Sequence, residues 1–375
     1  MIIKRRRVDL MNIQITGNEL INKMLNDWYR DIRAQRISEA KKLKEEIDKK
    51  LYIIESDVKV SFHYYLLEFR YKVLIDGLGN LKKAFDKIDA LPKPNDEYSN
   101  YYYYYLFKAI HYTILTNYSE ASNYFEKAEG LLEHISDEIE YAEFNYRVAI
   151  LKYHLHYAYS AIEYASKARD IFVKQAGYEV NIALCENILG LSFSELKQHD
   201  KGEEYIASTI NILQKNDAEM LVLRIRHNLG LLYASQNLSV LAIRHLSEVS
   251  KKMPTHYKAI FLEAREYYKL GEIEKAKELI ESGLKVCEEL KNDEYRYHFL
   301  ILKGFCQHLE VEKIEKIILE GFSYFERKNL SEYIHEYTES LALEFHKVGN
   351  IEKAEKYFFM SYEIKKRIFE KEALK

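Results

Sequence analysis

Proline is nearly absent from this sequence, at 3 in 375 residues, and glycine is sparse at 13. A sheet protein of this length would need many more turn-forming residues, whereas long helices tolerate their scarcity, so the chain reads as all-α. Cysteine is equally scarce. Cys185, Cys287 and Cys306 are too few and too scattered for a disulfide framework or a clustered metal motif, and are expected as reduced thiols inside helices. Neither sign of charge prevails: 56 Lys+Arg stand against 59 Asp+Glu, a net charge of −3, which gives no ground for general nucleic-acid binding. The sequence holds no secretory leader and no apolar run long enough to span a bilayer, so no membrane segment and a cytoplasmic location are expected. Phosphate-loop, dinucleotide, HExxH and GxSxG motifs are all missing. His298 and His308, or His335 and His346, have no ligand partners at metal spacing. No cofactor, no metal and no catalytic residue are therefore expected from residue chemistry.

What is present is apolar periodicity. Apolar residues make up 47% of the chain, and its length exceeds that of a usual single core, so two units or an extended repeat array are expected. The opening MIIKRRRVDL reads as a disordered leader over residues 1–17, with Met11 as an alternative start. Residues 18–76 read as a three-helix bundle. Leu20, Met24, Trp28 and Ile32 line a first helix at about 18–34. Leu43, Ile47, Leu51 and Ile54 line a second at about 38–54, with Ser38 as its expected N-cap. Phe62, Tyr65, Leu66, Phe69 and Val73 line a third at about 58–77. Trp28, the one tryptophan, has core packing as its ordinary role. Residues 77–100 change character: Gly77, Gly79, Pro92 and Pro94 mark a linker, with a short helix at about 80–89.

From residue 101 to the end a pattern returns. A small residue is followed three on by an aromatic and nine later by another small residue. An apolar residue follows four later and a small one three after that. Instances are Ala109, Tyr112, Ala121, Phe125, Ala128; then Ala149, Ala161, Ala165, Ala168; Gly190, Phe193, Gly202, Ile206, Thr209; Gly230, Tyr233, Ala242, Leu246; Ala264, Tyr267, Ala276, Ile280, Gly283; and Ala342, Phe345, Ala354, Phe358, Ser361. A degenerate unit covers about 296–330. The first five registers are 40, 41, 40 and 34 residues apart. This resembles the tetratricopeptide repeat, whose small residues permit close helix approach and whose units bury their apolar faces by stacking. A right-handed superhelix with a concave binding surface is the expected result, and a binding module rather than an enzyme the expected class.

Longer stretches carry a further resemblance. NDWYRDIRAQRISEAKKLKEEI (26–47), HYYLLEFR (63–70), DEIEYAEFNYRVAI (137–150) and HLHYAYSAIEYASKA (154–168) stand in the order and spacing of the Rap family. These are Bacillus response regulator aspartate phosphatases and related regulators. The resemblance implies that the bundle grips the receiver domain of a response regulator, with Trp28, Asp31, Val58 and Phe62 as its candidate contact residues. It also implies that a short Phr-type signalling peptide binds the repeats and rearranges the bundle. Some members dephosphorylate a sporulation-phosphorelay regulator; others sequester a competence regulator without hydrolysis. The family's catalytic glutamine falls at Val58, and a valine neither accepts nor donates a hydrogen bond. The resemblance therefore implies a regulator that binds and blocks, with phosphatase activity as the alternative. In the repeats it implies Asn228 as the residue holding the peptide backbone, with Arg224 one turn earlier and Glu195 in the preceding repeat. Two other readings are a plain tetratricopeptide scaffold and a peptide-sensing transcription factor, though residues 18–76 show no recognition helix.

Overall fold

The computed structural model describes residues 17–76, 83, 85–92, 98–328 and 330–373. The expected leader, apart from Gly17, and half of the expected linker lie outside these residues. Among the described residues all regular structure is helical. No described helix is long and apolar enough to cross a membrane. The chain divides into two compact units, Met1–Glu219 and Met220–Lys375.

The first unit opens with α1 (Gly17–Arg33), α2 (Ile37–Asp48), α3 (Leu51–Ile54) and α4 (Val58–Asp76). The sequence suggested one helix over 38–54; the structure breaks it at Lys49 and Lys50. Ser38 lies inside the first turn of α2 rather than capping it, and Arg36 holds the cap position without a side-chain bond. Asp57 starts α4 instead: its carboxylate accepts from the Lys59 and Val60 amides at 2.9 and 3.2 Å, satisfying two free donors of the first turn. α5 (Asp86–Ala90) is a short piece of the region expected to hold a helix at 80–89.

Helix pairs then follow: α6 (Tyr98–Ile114) with α7 (Tyr118–Leu132), α8 (Glu138–His154) with α9 (Ala158–Phe172), and α10 (Glu179–Glu195) with α11 (His199–Lys215). The second unit continues with α12 (Glu219–Ser235) and α13 (Ser239–Lys252), α14 (Tyr257–Lys269) and α15 (Ile273–Glu289), α16 (Asp293–Cys306) and α17 (Val311–Arg327), and α18 (Ser331–Lys347) and α19 (Ile351–Ala373). The small residues of the repeat pattern sit where these helices touch. A methyl group on Gly190 would lie 2.6 Å from the Ile206 side chain and 2.9 Å from the Gly202 carbonyl; one on Gly283 would run into the Phe299 ring. No larger residue fits there without moving a helix.

A second regularity accompanies the first. The turn inside each of the seven pairs carries one left-handed residue: Thr116, His156, Lys197, Asn237, Gly271, His308 and Gly349. In six of the seven it stands seven residues past the first small position. The same count in the degenerate sixth pair leads back to Ile301, which is 1% exposed. An isoleucine in the small slot is why the pattern fades there. The short 34-residue interval has a similar local cause, because α13 and α14 have only 14 and 13 residues where most helices of the array have 15 or 17. In α1 and α2, Gln35 is left-handed seven residues after Trp28, and Ala40 lies twelve after it. The hairpin that opens the bundle therefore has the register of a repeat, with a tryptophan in the small slot. One expected core position fails. Phe358 is 43% exposed, and Tyr357 beside it is buried at 1%. Its counterpart Phe125 packs edge-on to Phe144 of the next pair, with ring centroids 6.0 Å apart. Among the described residues no pair follows α19 to supply such a partner.

Candidate functional site

The most elaborate polar chemistry of the first unit lies where the bundle meets the repeats. The backbone of α8 starts at Asp137, which accepts from the Ile139 amide at 2.9 Å. One turn on, helical spacing turns Glu140, Glu143 and Arg147 toward the bundle. Glu140 is 0% exposed and is met from two other helices. Arg33 of α1 donates to it at 2.8 Å and to Asp137 at 2.6 Å; the Tyr29 hydroxyl of α1 lies 2.9 Å away, and the Tyr102 hydroxyl of α6 at 3.2 Å. Asn181 of α10 donates to the Arg33 carbonyl at 2.9 Å. Next to this cluster, buried Arg70 of α4 donates to Glu143 at 2.6 Å, and Arg147 donates to the same carboxylate oxygen at 2.8 Å.

The two carboxylates differ. Burial pushes the Glu140 carboxyl above the usual range, with Arg33 opposing only part of that shift. Burial works the same way on Glu143, but Arg147 and Arg70 together outweigh it and hold that carboxyl below the usual range. Burial and the neighbouring Glu140 raise the Tyr29 and Tyr102 phenols well above theirs, so both remain donors. Bundle and repeats are thus joined by charges that have left water and depend on one another. The sequence flagged the segment 137–150 by resemblance only. The available signal was two glutamates and an arginine at positions 140, 143 and 147 on an otherwise apolar helix face.

The candidate contact residues of the bundle fare unevenly. Trp28 is fully buried, its indole N–H donating to the Ala40 carbonyl at 3.0 Å and its ring 6.0 Å from that of Tyr64. Phe62 is likewise buried, and Asp31 is buried and paired with Arg36 at 3.4 Å. These three hold the bundle's interior in this structure, which corrects their expected place on a contact surface: their apolar area is already removed from water. Val58, half exposed in the first turn of α4, alone of the four presents itself outward.

The repeat residues are placed as follows. In the first unit Glu195 ends α10 and is paired with His156, the left-handed residue of the α8–α9 turn. Burial, helped by Glu195, pushes the Tyr153 phenol up to about 12. In the second unit Arg224 and Asn228 lie one turn apart on α12, Arg224 exposed and Asn228 half-buried. The Asn228 amide oxygen lies 3.4 Å from Nδ1 of His227, whose ring centroid is 4.9 Å from that of His256. Burial, with His256 adding to it, pushes His227 down to about 4, so this imidazole is neutral and able to accept a hydrogen bond. His227 was not anticipated from the sequence. Among the described residues no group of acidic, histidine or cysteine side chains is arranged to hold a metal ion.

Helix pairs built on small-residue contacts, with a polar-seamed helical bundle ahead of them, define a tetratricopeptide-type repeat protein. The N-terminal segment at residues 15–76 matches the family described as response regulator aspartate phosphatase H, N terminal. Along most of its length the chain is similar to Rap proteins. It is 26% identical over 373 residues to the regulatory protein RapF of Bacillus subtilis (strain 168), covering 94% of this chain and 96% of that one. It is also 26% identical to response regulator aspartate phosphatase I of the same organism, covering 93% and 92%. Among solved structures it resembles a Rap protein complexed with competence and sporulation factor, at a TM-score of 0.81 and 25% identity, covering 94% of this chain and 99% of that one.

Proposed function

We propose that this chain is a quorum-sensing regulator that binds the receiver domain of a response regulator through its bundle and blocks that partner's action. A short Phr-type peptide on the repeats controls it. The observation that carries this reading is the seam on α8. A signal received by the repeats reaches the bundle only through contacts joining the two, and Arg33–Glu140 and Arg70–Glu143 are such contacts, with almost no access to water. A solved relative is complexed with competence and sporulation factor, and others are named regulatory proteins, which supports the same reading. On the repeats, Asn228 suits a peptide backbone because one amide both donates and accepts. Arg224 suits a carboxylate and Glu195 a basic side chain.

The exposed apolar Val58 supports binding without hydrolysis, since no hydrogen-bonding group stands there to orient a water. Phosphatase activity on a phospho-aspartyl regulator of the sporulation phosphorelay is the second reading, favoured by relatives named response regulator aspartate phosphatases. One experiment separates them. A panel of phosphorylated receiver domains is tested for binding and for phosphate release with and without the full chain. Binding without acceleration is expected. Clear catalytic acceleration would establish the second reading, and no binding to any receiver would remove both.

A further inference from the structure

The first helices of the four pairs in the second unit, α12, α14, α16 and α18, differ in what they show to water. Exposed residues stand on α12 (Arg224, Leu231), on α14 (Lys258, Lys269) and on α18 (Glu336, Leu343), but no residue of α16 past Asp293 is exposed. Aromatic side chains from both neighbours cover it. Tyr257 and Phe261 of α14 meet Tyr295 of α16, with ring centroids 4.8 and 5.8 Å apart. Phe261 meets the buried His298 ring of α16 at 5.4 Å, and Tyr333 of α18 meets the same ring at 4.3 Å. α14 and α18 also reach each other directly, Nη1 of Arg265 standing 3.8 Å from the Glu336 carboxylate. On the other side α14 adjoins α12: His227, next to Asn228, packs on His256, which caps α14 by accepting from the Ala259 amide at 3.1 Å. The row that starts at Asn228 and passes α14 therefore ends against a wall at α16, and Arg265 stands at that wall.

Arg265 is loosely held there. Its Nε donates to Glu266 at 3.3 Å, but that buried carboxylate is already served by Lys269 at 2.9 Å and Ser239 at 2.7 Å. The 3.8 Å to Glu336 exceeds hydrogen-bond length, and among the described residues no other carboxylate meets the two terminal nitrogens. A guanidinium presents a fork of donors matched to the two oxygens of a carboxylate, and here the side chain is 25% exposed with that edge of the fork unengaged. Lys258, Phe261 and Arg265 recur at the spacing of one helix face, so with Arg224 three bases stand on α12 and α14. We propose that Arg265 binds the free carboxylate at the end of a short peptide whose backbone Asn228 holds. This rests on the peptide reading given above. The carboxylate takes the place of Glu336 on the guanidinium. Neighbouring helices lie ~8–10 Å apart and an extended chain advances ~3.3 Å per residue, so about three residues lead from α12 to α14. The wall stops a chain that continues further, so the site reads a chain end and, with it, peptide length.

The probe is a synthetic library of pentapeptides with free carboxyl ends, presented to the full chain. Its strongest binder is remade as the C-terminal amide and with one residue added at the C-terminus. Isothermal titration is expected to show amidation and extension each weakening binding to the unmodified chain by about tenfold or more, as for the loss of a charge-assisted hydrogen bond. Against Arg265→Gln the free acid is expected to bind as weakly as the amide, so the two changes are not additive. Glu336→Gln, at a position 53% exposed, removes the competing carboxylate and is expected to tighten the free acid while leaving the amide unchanged. Asn228→Ala separates this proposal from the reading beneath it. A binder that needs Asn228 but is indifferent to amidation and to Arg265→Gln would overturn the proposal alone. So would one that tolerates amidation but weakens when an internal Asp or Glu is neutralised, since the carboxylate would then come from a side chain. A library from which nothing binds would remove the peptide reading and this proposal with it.

Discussion

Replacing Arg33 by alanine isolates what the seam contributes. Arg33 is 8% exposed and Glu140 0%, so the substitution leaves a carboxylate without water and without its counter-ion. Removing one partner of a buried ion pair costs about 3–5 kcal/mol, against less than about 1 kcal/mol for a surface pair. Two observations set the lower end of that range. The Tyr29 and Tyr102 hydroxyls still face Glu140, at 2.9 and 3.2 Å, and the lost Asp137 contact involves a side chain 45% exposed. A loss of about 3 kcal/mol follows, or about 6–12 °C in the melting temperature of a unit of this size. Circular dichroism melts of the full chain, followed together with Trp28 fluorescence, measure it. Arg33→Met combined with Glu140→Met replaces both charges by packed apolar groups and is expected to melt much closer to the unmodified protein, because the desolvation cost disappears with the charges. If Arg33→Ala melted within about 1 °C of the unmodified chain, the pair would be no stronger than a surface contact and the argument would fail.

Four shorter predictions follow from the same structure. The second unit is expected to lose stability as pH falls below about 6.5: His227 and His298 are pushed down to about 4 and about 3 by burial, so the unfolded chain takes up their protons first. The loss accumulates between about 6.5 and each folded value, on the order of 3 kcal/mol per histidine, and His298→Phe is expected to flatten the slope of stability against pH in urea titrations. Asn228→Ala is expected to weaken binding of the cognate peptide about tenfold or more while leaving receiver binding intact; equal affinities in isothermal titration would remove Asn228 from the peptide site. Gly283→Ala should destabilise by about 1–3 kcal/mol, because its methyl group meets the Phe299 ring. Gly130→Ala, a helical position with nothing within 4 Å, should stabilise by about 0.5–1 kcal/mol, and chemical denaturation of the pair tests whether close approach sets the sign.

How legible the molecule was depended on the kind of contact. Helix-against-helix packing within a repeat is local and periodic, so Ala109, Ala149, Gly190, Gly230 and Ala264 announced it at fixed spacing. The sixth pair was obscured because Ile301 fills the small slot, and Phe358 misled because its counterparts are buried by a following pair. The α2–α3 break fell inside an unbroken apolar rhythm, Ile47, Leu51 and Ile54, which continues in register across Lys49 and Lys50. The seam was the least visible. It joins Arg33 to Glu140, 107 positions apart, and Arg70 to Glu143, 73 apart, and no periodicity encodes a pairing at that range. Resemblance drew attention to Trp28 and Phe62 as contact residues, whereas their size and burial make them the bundle's interior.

The register shared by the first hairpin and the repeats has a practical consequence. Because Trp28 fills the slot that alanine or glycine holds in most pairs, the chain's only indole sits in the core of the bundle, bonded to the Ala40 carbonyl and flanked by the rings of Tyr64 and Tyr71. Every other aromatic emitter is a tyrosine or phenylalanine. Excited at long ultraviolet wavelength, the molecule therefore reports on one residue in one place without any attached dye. A red shift on adding a receiver or a peptide would signal water reaching that indole, and an unmoved spectrum would mean that the first hairpin stays closed while its surroundings rearrange.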